Sequence, residues 1–412
     1  MDWPNELELE LQGIAQGGEA VGRWEGRVVF VAGGLPTEKV RVRLTERTAA
    51  YARAEIIDVL HASSDRVEPR LTNGDHMSWQ HIDYPAQLMF KQQIVVDQLA
   101  KIASLPDAPV VATLPASRPW AYRAEAQLHI DDGVVGYHEA GTRTIRPFQP
   151  DPLLLPQLND AIQALAMVLT PDDPVRDVTL RVSETHGYIV AAFDVFDDPH
   201  ALAQYWRSAC PSLAGVVWAN GGGLGTDTLV EELADIDFLL HPQTFFQVNR
   251  TAALVLLDLV EQHVALSGGE RVLDLYCGAG TFALPLARQA REVWGVEEYA
   301  GAVADGKRTA ELHGIEQVHF VTGAVERAIA TLDQSFDAVV LDPPRRGCHP
   351  QALEALVRFN APKIVYVACH PATLARDLKI LVAHGYRVEQ VTPVDLFPQT
   401  PHIESVALLI RS

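Results

Sequence analysis

Arg271-Val272-Leu273-Asp274-Leu275-Tyr276-Cys277-Gly278-Ala279-Gly280-Thr281 is the stretch that decides the fold. Apolar β-formers run to a glycine-rich turn, and a helical pattern opens directly behind it, which is the order strand, turn, helix. The same alternation recurs downstream. Strands are predicted at 271–276, 292–296, 318–321, 336–341 and 363–367, each followed by a helical stretch of roughly ten residues. Right-handed crossovers between such strands give a parallel, doubly wound sheet, so the fold class is α/β with a Rossmann-like C-terminal domain. Two last strands, 386–394 and 402–410, have no helix between them and are expected to form an antiparallel edge.

Open α/β sheets place their chemistry beyond the carboxyl ends of the strands. There the glycines of the first turn let a ligand approach the backbone, and Glu297, at the end of the second strand, is placed to accept hydrogen bonds from a ribose diol. Gly278, Gly280 and Ala283 also satisfy the dinucleotide pattern GxGxxA, so this turn alone leaves a nicotinamide enzyme, or a purely structural turn, open. The next strand ends in Asp342-Pro343-Pro344-Arg345-Arg346-Gly347. Two prolines fix an extended turn that presents carbonyls and a carboxylate to something planar or amino-bearing, where the bland reading is a helix-entry turn. A dehydrogenase has no general need of that turn; a nucleotide-modifying methyltransferase does, because donor and base meet beside it.

The strand after that ends in Ala368-Cys369-His370-Pro371-Ala372-Thr373-Leu374. Most cysteines are small buried hydrophobes, but Cys369 lies between a strand and a helix N-terminus whose field favours a thiolate. Cys277 and Cys348 flank glycines and read as packing or ligand-lining, and Cys210 reads as structural. On the predicted final strand, His402 and Glu404 are expected to share a face. Glu404 is an acid in a mostly apolar run, either salt-bridged to an arginine or acting as a base with a raised pKa.

The rest of the chain bounds these readings. Its 412 residues, 48% of them apolar, exceed one compact core. Short strands with glycine-rich turns over 1–62 suggest a small barrel; a helix is expected at 84–103, and alternating strands with a helix near 155–169 suggest a central α+β domain over 63–240, ahead of 241–412. No leader or membrane span is legible, so the cytoplasm is expected. The four cysteines lack paired spacing, and 33 basic against 53 acidic residues argue against coating nucleic acid by bulk charge, leaving room for a local basic groove.

On these residues the chain resembles the RNA 5-methyluridine methyltransferases, a family that includes tRNA and 23S rRNA uracil-C5 enzymes. Gly17-Gly18-Glu19-Ala20-Val21-Gly22, Val29-Phe30-Val31 and Leu35-Pro36-Thr37-Glu38 resemble a TRAM domain, an OB-like RNA-binding barrel. Gln80-His81-Ile82-Asp83-Tyr84 with Gln87-Leu88 resembles the family segment leading into a helix that docks on the catalytic domain, and Phe245-Phe246-Gln247-Val248-Asn249 the motif before the first catalytic strand. The resemblance implies that Cys369 attacks C6 of a uracil, that C5 then takes a methyl from S-adenosyl-L-methionine, and that Glu404 removes the C5 proton to give 5-methyluridine. It implies Gln247, Tyr276, Gly278, Gly280, Thr281, Glu297 and Asp342 around the donor, with Glu297 at the ribose hydroxyls and Asp342 between donor and base. Arg345 and Arg346 would contact substrate.

Many members carry cysteines for a [4Fe-4S] cluster just before the Gln-His segment. Here 70–79 holds none, and no metal or cluster is expected. His370 stands where Asn is usual, and Ala324 where a polar donor-pocket residue is common. The expected partner is structured RNA, 23S rRNA ahead of tRNA, with no membrane and a monomeric state. The competing class is a protein that binds or folds RNA and for which methylation is dispensable.

Overall fold

The computed structural model describes residues 3–71, 75–139, 141–218 and 221–412. They gather into two compact units, Met1–Pro119 with Arg345–Gly347 and Ala368–Ala407, and Trp120–Pro344 with Cys348–Val367 and Leu408–Ser412.

The first unit begins with β1 (Glu6–Ile14), β2 (Ala20–Trp24), β3 (Arg27–Ala32), β4 (Lys39–Arg47) and β5 (Tyr51–His61), closed as a barrel in the order β1-β2-β3-β5-β4. Strict alternation makes it so. Leu7, Leu9 and Leu11 of β1 and Val40, Val42 and Leu44 of β4 point inward and are buried, each leucine contributing about 1.5–3 kcal/mol. The intervening residues face out, and the register sets Glu6 opposite Arg43, Glu8 opposite Arg41 and Glu10 opposite Lys39. Closure leaves no strand edge unpaired.

Helix α1 (Tyr84–Gln98) follows, with a proline in its first turn. The chain is helical over the whole of the expected 84–103: Leu99–Ala103 continues it as a π-turn, in which the Ser104 and Leu105 amides both converge on the Leu99 carbonyl, and Ser104 turns left-handed at φ 60°. Lys91 of α1 is fully buried. Its Nζ lies 2.5 Å from Asp395 Oδ1 and donates to the Phe397 carbonyl at 3.0 Å. Burial pushes the Lys91 amine down, and the Asp395 carboxylate opposes that shift.

The second unit opens with a seven-stranded sheet. Its strands are β6 (Glu125–Asp131), β7 (Val134–His138), β8 (Ile145–Pro147), β9 (Val175–Val182), β10 (Ile189–Val195), β11 (Leu213–Trp218) and β12 (Gly222–Gly225), in the order β12-β11-β10-β9-β6-β7-β8. Helices α2 (Pro156–Val168) and α3 (His200–Ala209) complete its core, where buried Trp206 donates its indole N–H to the Ala161 carbonyl at 2.8 Å. The hairpin of β13 (Leu229–Leu233) and β14 (Ile236–Leu240) leads to α4 (Arg250–Val264).

Then comes the alternating region: β15 (Arg271–Leu275), α5 (Ala283–Ala287), β16 (Glu292–Glu297), α6 (Ala300–Leu312), β17 (Val318–Thr322), α7 (Val325–Ala328), β18 (Ala338–Leu341), α8 (Pro350–Arg358), β19 (Lys363–Ala368), α9 (Pro371–Ala383), β20 (Tyr386–Val394) and β21 (Glu404–Arg411). Strands β15 to β19 pair in parallel, and the sheet order is β17-β16-β15-β18-β19-β21-β20. Helix α5 is shorter than the expected ten or so residues because the chain after β15 is taken up by the turn through Phe282, and α7 is short because it passes directly into a 3-10 turn at Ile329–Thr331. The Arg411 amide donates to the Pro362 carbonyl at 2.9 Å, so β21 ends where β19 begins and runs against it. Among the described residues no helix is long and apolar enough to cross a membrane.

Replacing Lys91 with Met leaves Asp395 buried without its counter-charge and is expected to destabilise the protein by about 3–5 kcal/mol. The double change Lys91→Met with Asp395→Leu is expected to recover most of that loss, measured by urea unfolding of the full chain.

Candidate active site

The glycine-rich turn after β15 lies in the second unit. Tyr276 adopts φ 63°, Gly278 φ 56° and Gly280 φ 88°, a left-handed run that glycine adopts at little cost and that the tyrosine holds only because its surroundings fix it. Those surroundings are specific. The Cys277 amide donates to the Val296 carbonyl at 3.1 Å and the Gly280 amide to the Cys277 carbonyl at 2.8 Å. Glu297 anchors the same turn from the end of β16, accepting from the Gly278 amide at 3.1 Å and the Tyr299 amide at 2.7 Å. A Cβ on Gly278 would meet nothing within 4 Å, so the turn is open on that side, whereas one on Gly280 would press on Leu284 and Phe320. Thr281 is half-buried immediately before the short α5.

Two acids lie close to this turn. Asp274, inside β15, is fully buried, and neither carboxylate oxygen has a partner in ordinary hydrogen-bond geometry. Burial, then the nearby Asp342, push its pKa well above the usual carboxylate range. Asp342 follows β18 directly, its amide donating to the Leu275 carbonyl at 3.2 Å, and burial raises its carboxyl to about 7. Buried acids that repel one another favour a cationic ligand, and S-adenosylmethionine carries a sulfonium and an ammonium; Asp274, Asp342 and Glu297 therefore fit that donor.

Cys277 is packing: its sulfur fills the space a side chain at Gly295 would need, and burial, then Asp274 and Glu297, push the thiol up. Cys348 donates to the Tyr366 hydroxyl at 3.5 Å in the core, and burial followed by Cys348 pushes the Tyr276 phenol up. Ala324 is buried at the start of α7. Gln247 lines a small cleft with Glu125, Arg181, Glu231 and Arg250. The segment leading to it is fixed by Asp305 of α6, which accepts from the His241 amide at 2.8 Å and the Thr244 hydroxyl at 2.6 Å. Among the described residues no cluster of His, Cys, Asp and Glu could hold a metal ion.

The first unit holds Cys369, Glu404, Arg345 and Arg346. Cys369 is half-buried in the two-residue link between β19 and α9. Glu404, 3% exposed, is the first residue of β21, and the antiparallel course of that strand returns it to the rim at which β19 delivers Cys369. The segment Arg345–Gly347 is clamped by α9: Thr373 Oγ1 donates to the Arg345 carbonyl at 3.3 Å and Arg376 to the Arg346 carbonyl at 3.0 Å. A Cβ on Gly347 would lie 2.5 Å from the Arg376 guanidinium, so the clamp requires glycine there.

One expectation fails here. His402 shares no strand face with Glu404, because β21 starts at Glu404 and His402 lies in the preceding loop. Its ring instead meets the Arg345 guanidinium, 3.3 Å from both ring nitrogens, and Phe397 edge-on at 5.9 Å. That loop is held by groups from α1 and the segment before it. Gln87 and Gln399 exchange two hydrogen bonds of 2.9 Å, the Trp79 amide donates to the Gln399 carbonyl at 3.0 Å, and Lys91 holds Asp395. The legible signal was a lysine, Lys91, set three residues from both Leu88 and Ile94 on the apolar face of α1.

Comparison with known proteins agrees with this architecture. A family profile described as tRNA (Uracil-5-)-methyltransferase matches residues 226–412, and a TRAM domain profile matches 5–57. The chain is 34% identical to an uncharacterised RNA methyltransferase of Thermosynechococcus vestitus over 98% of both chains. It is also 34% identical to one of Geobacter sulfurreducens, over 98% of this chain and 90% of that one. A solved structure of Pyrococcus abyssi tRNA (uracil-54, C5)-methyltransferase in complex with S-adenosyl-L-homocysteine shares the fold, with a TM-score of 0.77 and 24% identity over 98% of this chain and 100% of that one.

The raised Asp342 pKa fixes the sign of a pH effect. Its folded value lies above that of the unfolded chain, so the stability it contributes is full below about pH 4 and is lost as pH rises through about 7. Asp342→Asn is expected to flatten the fall in melting temperature between pH 5 and 8 measured without donor. A cationic donor is expected to bind wild type more tightly at pH 8 than at pH 6, and Asp342→Asn with little pH dependence, read by calorimetric titration.

Proposed function

Because the chain belongs to the RNA (uracil-5-)methyltransferase family, whose members use S-adenosylmethionine, we propose that it methylates C5 of a uridine in structured RNA through a covalent adduct at Cys369. The observation that carries this reading is the pairing of Cys369 and Glu404 at one rim, the thiol after β19 and the buried acid at the start of β21.

C5 of uracil is a poor nucleophile, which is why a covalent step is needed. The Cys369 thiolate adds to C6, and the electron pair of the C5=C6 bond moves toward O4, giving an enolate nucleophilic at C5. When bound, the donor supplies an electrophilic methyl group and leaves as S-adenosyl-L-homocysteine. Glu404 then takes the C5 proton; the pair left behind re-forms C5=C6 and expels Cys369 as thiolate. Burial of Glu404 suits a base that must wait while the adduct forms. Gly278, Gly280 and Glu297 would hold the donor's nucleoside, with Tyr276, Thr281 and Gln247 around it, and Asp342 would face its cationic centre. Arg345 and His402 offer a planar cation and a ring beside the target base.

The test gives full-length protein labelled methyl donor with tRNA and with 23S rRNA, each from a strain lacking the enzyme, and quantifies nucleosides by mass spectrometry. Labelled 5-methyluridine in one pool with wild type and none with Cys369→Ala is expected, and the labelled pool identifies the substrate. Glu404→Gln is expected to stop at the methylated adduct and to leave an RNA–protein band that survives denaturing electrophoresis. Equal labelling by wild type and Cys369→Ala would remove the covalent mechanism, and the absence of label in both pools from protein that binds donor would favour an RNA-binding role.

A further inference from the structure

The β1–β2 turn of the barrel touches the link that carries Cys369. Gln16 places its side-chain amide nitrogen 2.7 Å from Nε2 of His370, the residue after the cysteine. The turn itself is wedged in place: Gly18 sits at φ 88°, a Cβ there would lie 2.7 Å from both Pro401 and the Trp79 indole nitrogen, and that indole donates to the Gly18 carbonyl at 3.1 Å. The Gly18 amide closes the turn on the Ala15 carbonyl at 2.8 Å. Gln16 therefore projects from a rigid base.

The chemistry of the contact is directional. An amide nitrogen only donates, so Nε2 of His370 accepts and its proton resides on Nδ1, which faces Thr373 Oγ1 at 3.4 Å. Thr373 already gives its own hydrogen to a carbonyl, and is left with lone pairs for that N–H. Burial and the neighbouring Arg345 both act against a charged imidazole, which agrees with an accepting Nε2. His370 also precedes Pro371, the first residue of α9, so an anchored ring fixes the peptide that leaves Cys369.

We infer that Gln16 is a positioning residue for the nucleophile: through His370 it holds the two-residue link between β19 and α9 and so sets where the Cys369 thiol stands. The barrel thereby contributes to the chemical step as well as to RNA contact. This inference rests on Cys369 being the nucleophile, and its test contains one readout that needs no RNA.

The experiment compares wild type, Gln16→Ala, His370→Ala and the double variant as full-length chains. Methyl transfer is followed on whichever pool, bulk tRNA or 23S rRNA, wild type labels; iodoacetamide alkylation of Cys369 is followed without RNA. The other three cysteines are buried, so alkylation reports on Cys369. Gln16→Ala is expected to lower kcat about tenfold with KM for RNA changed less than twofold, which is the signature of lost positioning. The Cys369 alkylation rate is expected to shift about threefold or more, and the double variant to be no worse than the more impaired single one. Losses that multiply in the double variant would overturn the inference. So would a Gln16→Ala protein that raises KM alone and leaves kcat and alkylation unchanged, which would make Gln16 an ordinary RNA contact. If wild type labels neither pool, the uridine reading fails on its own, and the alkylation comparison still decides the role of Gln16.

Discussion

The loop from Asp395 to Ile403 carries no regular structure, yet it delivers Glu404 to the start of β21, so something outside it must fix its course. The buried Lys91–Asp395 pair does this. Two charges in the interior are costly unless each satisfies the other, and here Lys91 also donates to the Phe397 carbonyl. The geometry therefore tolerates one loop position, with Gln399, at φ 68°, locked to Gln87 by two hydrogen bonds. Helix α1 acts as a jig for the loop that leads to Glu404, and the π-turn that ends it matters because Lys379 of α9 donates to the Ile102 carbonyl at 3.3 Å.

A different economy governs the turn after β15, which brings together backbone amides, an open glycine and three acids, Asp274, Glu297 and Asp342. Glu297 is spent partly on structure, since it anchors the turn that the donor would meet. Asp274 stays fully buried beside Asp342. Apolar residues at these two positions would stabilise the ligand-free protein.

The sequence reading recovered what depends on local pattern. Barrel strands, the alternating region and the strand ends carrying Asp342 and Cys369 all follow from period-two runs bounded by glycine or proline. Failures arose where distant groups decide. His402 falls outside β21 because Thr400 Oγ1 accepts from its amide at 3.3 Å and turns the chain before pairing begins. Gln16 reads in sequence only as part of a polar turn; its contact spans 354 positions and no periodicity encodes it.

The net charge of −20 is the feature least expected of an RNA enzyme, and the barrel sharpens the question. Its outward bases on β4 do not form a free basic stripe, because Arg43 pairs with Glu6 at 3.2 Å, Lys39 with Glu8 at 3.2 Å and Arg41 with Asp58 at 3.1 Å. Exposed pairs of this kind are worth at most about 1 kcal/mol and yield readily to a phosphate, so they weaken binding without forbidding it. A weak electrostatic hold suits an enzyme that must extract one base from its stack, since recognition then falls to the shape of the RNA and to the fit of the extracted base. In the reaction proposed above, the uridine would be recognised with its base out of the stack and facing Cys369, which is where the contact of Gln16 with His370 would act.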